Sequence, residues 1–443
     1  MNFKKQSNYI FENDVFKYES YMDDFNSVFS KEFDKKALQE KLESSIDDLF
    51  SGKLVNKTEN QAALHPIYRS PKMINDDESE QVLKKFLENS NLFKNNKTTI
   101  NIITIGIGGS YEGPKLLLET SDLNYKKNNI NFEFITGSDL NEFKSKMNYL
   151  DPGDTYFIIF SKSFTTDETI EIFKEALRWS GQKNKFLAIT ANPQEAAKYL
   201  NSETNVFKFE KEIGGRYSIW LNLVSSIYAE DRNRAFQRGG HKADLDLQNN
   251  DSYMNFIKYL SYSDVWMHNK KNKYVRVVLS YIWKLRSFPN YIQQLEMESL
   301  GKPCNKSSGF KKTGQIIFGG YGPTAQHSYF QLLHQGTHEL CADIISSRED
   351  CRSLSYAQAN TQSILLSSGV DKDKLKEYEK INGNIPVNIF LLNKLDLYSL
   401  GYLIATWEHR TYLSSVILGI NPFDQFGVNA GKIYTKKYLA RKN

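Results

Sequence analysis

NIITIGIGGSYEGPKLLLET, residues 101–120, reads as a strand, a glycine turn and a helix in immediate succession. Asn101–Ile105 is a short apolar run, Gly106–Ser110 is a glycine-dense turn, and from Gly113 onward the residues fall at helical spacing. That order opens a β-loop-α unit. Glycines let a backbone turn sharply and bring its N–H groups against a bound group, and the N-terminus of the following helix favours an anion. A phosphate fits both properties. Glu112 and Gly113 follow the glycines, so the run has neither the G-x-G-x-x-G register of a dinucleotide site nor the ending of a Walker loop. A tight turn carrying no ligand would read the same way.

Working outward, strands and helices alternate on both sides of this unit. Ile102–Ile105, Phe132–Ile135, Tyr156–Phe160, Phe186–Thr190 and Val206–Phe209 are expected strands, with helices at Glu142–Tyr149, Thr169–Trp179 and Pro193–Leu200 between them. A second series places strands at Tyr274–Tyr281, Gln315–Phe318, Ala342–Ile345 and Val387–Leu391, and helices in Ile282–Met297, Ser328–Leu333 and Leu395–His409. Such alternation predicts an α/β chain whose mostly parallel sheets are covered by helices. The division expected is a helical N-terminal segment over 1–97, α/β domains over 98–245 and 246–420, and a C-terminal extension over 421–443. The Asp- and Asn-rich stretch Asp244–Asp251 reads as the connection between the two domains. Within the first segment, His65 and Arg69 stand four apart and can share a helical face, with Pro66 in its first turn.

Composition narrows the function. Of the 443 residues 40% are hydrophobic and 25% charged, which is ordinary for a folded chain, and the formal charge of +5 is dispersed rather than gathered in a tract. Nucleic acid is therefore not an expected partner. No stretch approaches a transmembrane length, since Tyr398–Thr406 is soon followed by Glu408, His409 and Arg410. With no secretory run at the N-terminus and three scattered cysteines, a reducing, cytoplasmic setting is expected.

Three further stretches carry candidate chemistry. Ser161–Thr169, SKSFTTDET, follows an expected strand at the same sheet edge as the glycine turn. Its hydroxyls and backbone N–H groups can hold phosphate oxygens, and Lys162 adds positive field. Helix capping by Thr166 is the plainer alternative. Gly214–Ser218, GGRYS, presents Arg216, whose guanidinium stays charged and can approach an anionic intermediate beside two glycines. In Gln293–Ser299, QQLEMES, helical spacing puts Gln294 and Glu298 on one face and turns Glu296 elsewhere. A carboxylate beside an amide in a cleft can move a proton between adjacent carbons, although either glutamate also suits a solvated helix. His334 and His338 stand four apart but lack H-E-x-x-H and a third ligand, so no metal is expected.

Taken in chain order, SKSFTTDET, GGRYS, QQLEMES, HQGT (334–337) and NPFDQFGV (421–428) resemble the glucose-6-phosphate isomerase family, also called phosphoglucose isomerase. The resemblance covers most of the chain. It implies two sugar-isomerase domains and a homodimer. The implied reaction interconverts glucose 6-phosphate and fructose 6-phosphate through ring opening and an enediol or enediolate, in glycolysis and gluconeogenesis, without metal or organic cofactor. Carried over residue by residue, Gly109, Ser110, Ser161, Ser163 and Thr166 match phosphate contacts, with the backbones of Lys162 and Thr165. Glu298 matches the proton-shuttling base, Arg216 the group that stabilises the intermediate, Gln294 a binding amide, and His334 with Lys432 the ring-opening pair. Ser163, Leu300, Gln61 and His338 depart from the family's usual residues, and the loop Gly322–Gln326 from its usual glycine-rich form. Those departures bear on rate and sugar preference more than on reaction class.

Overall fold

Two wound sheets organise the chain, and the computed structural model describes residues 7–33, 35–75, 78–89, 99–121, 129–200, 205–231, 233–370 and 376–441. The N-terminal segment begins not with a helix but with a hairpin, β1 (Tyr9–Glu12) and β2 (Phe16–Ser20). Asn13 closes its turn, because its Oδ1 accepts from the backbone N–H groups of Val15 and Phe16, each at 2.9 Å. The helices expected of this segment follow, at Lys36–Phe50 and Glu78–Asn89, and its residues 90–97 lie outside the described residues.

The first sheet consists of β3 (Ile100–Ile105), β4 (Ile130–Ile135), β5 (Thr155–Phe160), β6 (Phe186–Thr190) and β7 (Val206–Lys208), in the spatial order β4-β3-β5-β6-β7 with every pair parallel. The second contains β8 (Val275–Ser280), β9 (Ile316–Tyr321), β10 (Leu340–Ser347) and β11 (Val387–Leu392), ordered β11-β10-β8-β9 and again parallel. Both repeat one winding rule, in which the second strand flanks the first on one side and the third flanks it on the other. The hairpin joins the second sheet through β2, antiparallel to β11. Every residue of β3, β5, β6 and β11 is buried, as expected for parallel strands covered on both faces.

Asp244–Asp251, expected as the connection between the domains, is helical apart from Asn250. Ala235–Asn249 and Asp251–Lys270 are long helices interrupted only at Asn250, whose Oδ1 caps the second by accepting from Ser252 and Tyr253 N–H. The acids that suggest solvent are buried partners: Asp244 takes both the Arg69 guanidinium, at 2.7 and 2.8 Å, and His409 Nε2, at 2.9 Å. The helix expected over Leu395–His409 runs instead from Leu397 to Leu418 and is buried almost throughout. Four successive residues on it reach four places: Trp407 Nε1 donates to Glu296, Glu408 accepts from Arg69 and Trp220, His409 meets Asp244, and Arg410 meets Asp264 and Asp343. Among the described residues no helix is long and apolar enough to cross a membrane.

His65 and Arg69 do share a neighbourhood, although only the short 3-10 turn Ile67–Arg69 forms there. The His65 ring stacks on Tyr217 at 4.2 Å, with its Nε2 3.9 Å from Glu408. Burial, reinforced by the nearby charges of Arg69 and Arg216 and by His409, holds its imidazolium form well below the ordinary 6.5. As pH falls through 6.5 the unfolded chain therefore takes a proton that folded His65 refuses, and stability is lost. His409, likewise lowered by burial, has the same sign, whereas Glu408, pushed up to about 7 by burial, has the opposite one. His65→Gln is expected to flatten the fall in melting temperature between roughly pH 7 and pH 5, where a tenfold difference in proton affinity between the folded and unfolded chain is worth about 1.4 kcal/mol. An unchanged slope in thermal melts would exclude His65 as a source of acid sensitivity.

Candidate active site

In the first sheet β3 sits between its sequence neighbour β4 and the later strand β5, so the chain winds away in opposite directions from the β3–β5 gap. Wound α/β sheets take ligands in the crevice beyond the carboxyl ends of strands at such a reversal. Gly106–Ser110 leaves the end of β3 and Ser161–Thr166 leaves the end of β5, so both expected phosphate loops border that crevice.

Local backbone shapes each loop for its task. In the glycine turn Gly108 is left-handed, with φ 60°, and a side chain there would stand 2.9 Å from Gln294 Nε2. A Cβ on Gly109 would lie 2.0 Å from the Gly215 carbonyl oxygen. The turn thus touches both the arginine loop and the glutamine-bearing helix, and only glycine fits. In the second loop Ser161 Oγ accepts from Phe164 N–H and Ser163 Oγ accepts from Thr165 N–H, each at 3.2 Å. Phe164 is itself left-handed, with φ 52°, an unusual state for a bulky residue. Its ring is buried against Phe173 and Tyr199, and that packing over-determines the bend. Thr166 occupies the N-cap position of Asp167–Ser180, yet its side chain makes no cap hydrogen bond, which leaves the hydroxyl available. Lys162 lines a narrow cleft with Glu59, Gln61, His65 and Glu212, and burial lowers its ammonium pKa while Glu59 opposes the change.

The proton-moving candidates converge on the helix Phe288–Leu300. Gln294 Nε2 donates to Glu298 Oε2 at 3.2 Å, which confirms their shared face, while Gln294 Oε1 is buried without a partner. Glu296 points into the core, where it meets Arg276 and Trp407. Arg216 is 1% exposed and stands 3.2 Å from Glu298 through Nη1. Its other contacts are Ser299 Oγ from Nε at 2.8 Å, Gln425 Oε1 from Nη1 at 3.0 Å, and the Pro422 and Asp424 carbonyls from Nη2. A guanidinium has five N–H groups. Four of these contacts are hydrogen bonds and the Glu298 contact is an ion pair, and together they fix its orientation.

Ser299, Gln425, Asp424 and Lys302 belong to this constellation but were not singled out by spacing or residue type. Each lies within or beside a motif, QQLEMES or NPFDQFGV, and that proximity was the available signal. Leu300 is buried at the helix end and His338 is exposed.

His334 and Lys432 are placed differently. His334 Nε2 lies 2.9 Å from Gln362 Oε1, and its ring is edge-on to Phe330. Burial lowers its pKa and the Gln362 contact works against that, so the neutral ring is favoured near neutrality. Lys432 is exposed on Asn429–Ala440, one turn before Lys436, which pairs with Asp167 at 3.2 Å beside the second phosphate loop. Among the described residues neither is hydrogen-bonded or ion-paired to Arg216, Glu298 or Gln294. No group of three or more His, Cys, Asp or Glu among them is arranged to hold a metal.

Comparison with known proteins identifies the family. The family model described as phosphoglucose isomerase matches residues 22–442. The glucose-6-phosphate isomerase of Shewanella pealeana is 33% identical, covering 91% of this chain and 84% of the relative, and that of Coxiella burnetii is 32% identical, covering 89% and 81%. In fold, a crystal structure of a glucose-6-phosphate isomerase from Chlamydia trachomatis superposes with a TM-score of 0.81 at 23% identity, over 98% of this chain and 90% of the other. With the match running almost end to end, the chain belongs to the phosphoglucose isomerase family.

Proposed function

We propose that the crevice between the β3 and β5 loops and the Phe288–Leu300 helix is where this chain interconverts glucose 6-phosphate and fructose 6-phosphate. The observation that carries the reading is the position of Glu298, its carboxylate shared between Arg216 and Gln294 opposite the glycine turn. Ser110, Ser161, Ser163 and Thr166 hold the phosphate through hydroxyls, with backbone N–H groups from Gly109, Lys162 and Thr165. Anchoring the substrate there leaves C1 and C2 of the open sugar beside Glu298, which carries the proton between them. The Arg216 pairing makes this exchange electrostatically balanced. When Glu298 takes the proton its own negative charge disappears, just as negative charge develops on the enediolate oxygen. The Arg216 charge then answers the new anion without having to move.

Ring opening falls to His334 and Lys432, with His334 supplied across the interface of a homodimer. Support comes from the C-terminal helix, where Ile433, Tyr434, Tyr438 and Leu439 are each more than half exposed, a stretch suited to burial against a second subunit. Each proton in this scheme travels on a side chain of the protein. The three cysteines, all free, suit the reducing cytoplasm, where the phosphorylated hexose is met.

Three measurements test the scheme. Glu298→Gln keeps the shape and the hydrogen-bonding capacity but removes the base. It should lower kcat by roughly 10²-fold or more while leaving KM within about tenfold; near-normal turnover would remove Glu298 from the chemistry. Replacing Ser161 and Thr166 together with alanine should weaken 6-phosphogluconate binding by about 10²-fold, since a charge-assisted hydrogen bond is worth about 1.5–3 kcal/mol. Unchanged affinity in titrations of the folded double variant would place the phosphate elsewhere. Finally, Glu298→Gln and His334→Ala proteins, dissociated and reassociated together, should regain about a quarter of wild-type activity, because half the dimers are mixed and each restores one of two shared sites. No regain in verified mixed dimers would mean that His334 serves its own chain.

A further inference from the structure

Asp424 is 6% exposed and ties several parts of the site's framework together. Its Oδ2 accepts from Thr58 Oγ1 at 2.6 Å and from Asn421 Nδ2 at 3.0 Å, and its Oδ1 pairs with Lys302 Nζ at 3.0 Å. Its backbone carbonyl accepts from both Arg216 Nη2 and Lys302 Nζ. Lys302 in turn donates to the Glu298 carbonyl at 2.9 Å. Asn421 extends the connection to the small hairpin closed by the Asn56–Gln61 bridge, donating to Asn56 Oδ1 at 2.8 Å and to Thr58 Oγ1 at 2.6 Å. Three segments far apart in sequence therefore meet at one carboxylate beside Arg216.

We propose that Asp424 is a positioning residue that sets the aim of Arg216 at Glu298. Two of the five Arg216 N–H groups end on the carbonyls of Pro422 and Asp424, so the guanidinium can be no better placed than the turn Asn421–Gln425. That turn has no regular secondary structure before Phe426 to hold it. The buried Phe423 ring and the Asn421 side chain help to hold it, and the Asp424 carboxylate ties it to Thr58 on one side and Lys302 on the other. The Lys302 bridge reaches Glu298 as well, so one carboxylate fixes both members of the pair relative to each other. Among the described residues the side chains of Ser110, Ser161, Ser163 and Thr166 make no hydrogen bond to Asp424, Thr58 or Lys302. A disturbance of Asp424 should therefore damage turnover more than binding, with kcat referred to the active-site concentration titrated with 6-phosphogluconate, because unfolded protein also lowers apparent kcat at constant KM.

This inference rests on the Arg216 and Glu298 roles proposed above, and measuring Glu298→Gln alongside keeps the two separable: if that variant turns over normally, the assignment of the base fails irrespective of Asp424. For Asp424→Asn, kcat should fall about 10- to 100-fold, the range that a small misplacement of catalytic groups can cost, with KM and 6-phosphogluconate affinity within about threefold. Thr58→Val, which removes one hydrogen bond to the carboxylate without touching Arg216, should show the same pattern to a smaller degree. Thr58→Ser should restore kcat. Joined to Arg216→Lys, Asp424→Asn should cost less than the product of the two single losses, because both act on one guanidinium. Unchanged kcat in both Asp424→Asn and Thr58→Val, losses confined to KM, or fully multiplicative losses in the double variant would each overturn the proposal. If Asp424→Asn does not fold, the Thr58 pair decides the question alone.

Discussion

Burying charge inside the long helix Leu397–Leu418 is the constraint on which the remaining architecture depends. Successive helical residues point about 100° apart, so Trp407, Glu408, His409 and Arg410 cannot share one face. All four are nonetheless buried, which requires protein on every side of the helix. Each of the four then demands a particular neighbour. Arg410 and Arg276 face Asp264, Glu296 and Asp343, two cations among three carboxylates. Burial raises Glu296, whereas the two guanidiniums outweigh burial at Asp264 and bring it below its usual range. Removing one member of such a group strands a charge, at a cost of about 3–5 kcal/mol. Glu296 and Glu298 occupy the same helix two residues apart, so the network that braces the core also sets the base of the reaction in place.

Much of this was legible in the residues. All nine strands expected in the two α/β series form, with ends moved by a few residues, because parallel strands buried on both faces read as uninterrupted apolar runs. The motif residues were legible for a different reason. Phosphate binding and proton transfer demand specific chemistry at short spacing, and Gln294 with Glu298 needed only helical periodicity to be put on one face.

What escaped the sequence did so for physical reasons as well. The hairpin β1–β2 is too short to show a period and borrows its stability from β11. Asp244 and Asp246 look like solvent residues because nothing local shows that Arg69 and Tyr402 will neutralise or bond them. The bend at Phe164 depends on a ring held by distant Phe173 and Tyr199, not on any turn-forming residue. Asp424 and Lys302 act through backbone carbonyls, and a carbonyl carries no mark in a sequence. Chemistry was local and therefore readable, while the framework that aims it was assembled from far-separated parts.

The hairpin has a consequence for how the chain is made. Residues 16–20 lie beside 388–392, so β2 must wait for a strand made much later before its open edge is covered. Until then β2 presents unpaired N–H and C=O groups, the kind of edge through which nascent chains join one another. β11 then arrives between β10 and β2, and a late strand secures an early one. The order of manufacture and the order of completion run in opposite directions, and a chain cut short before β11 lacks both the strand and the lock.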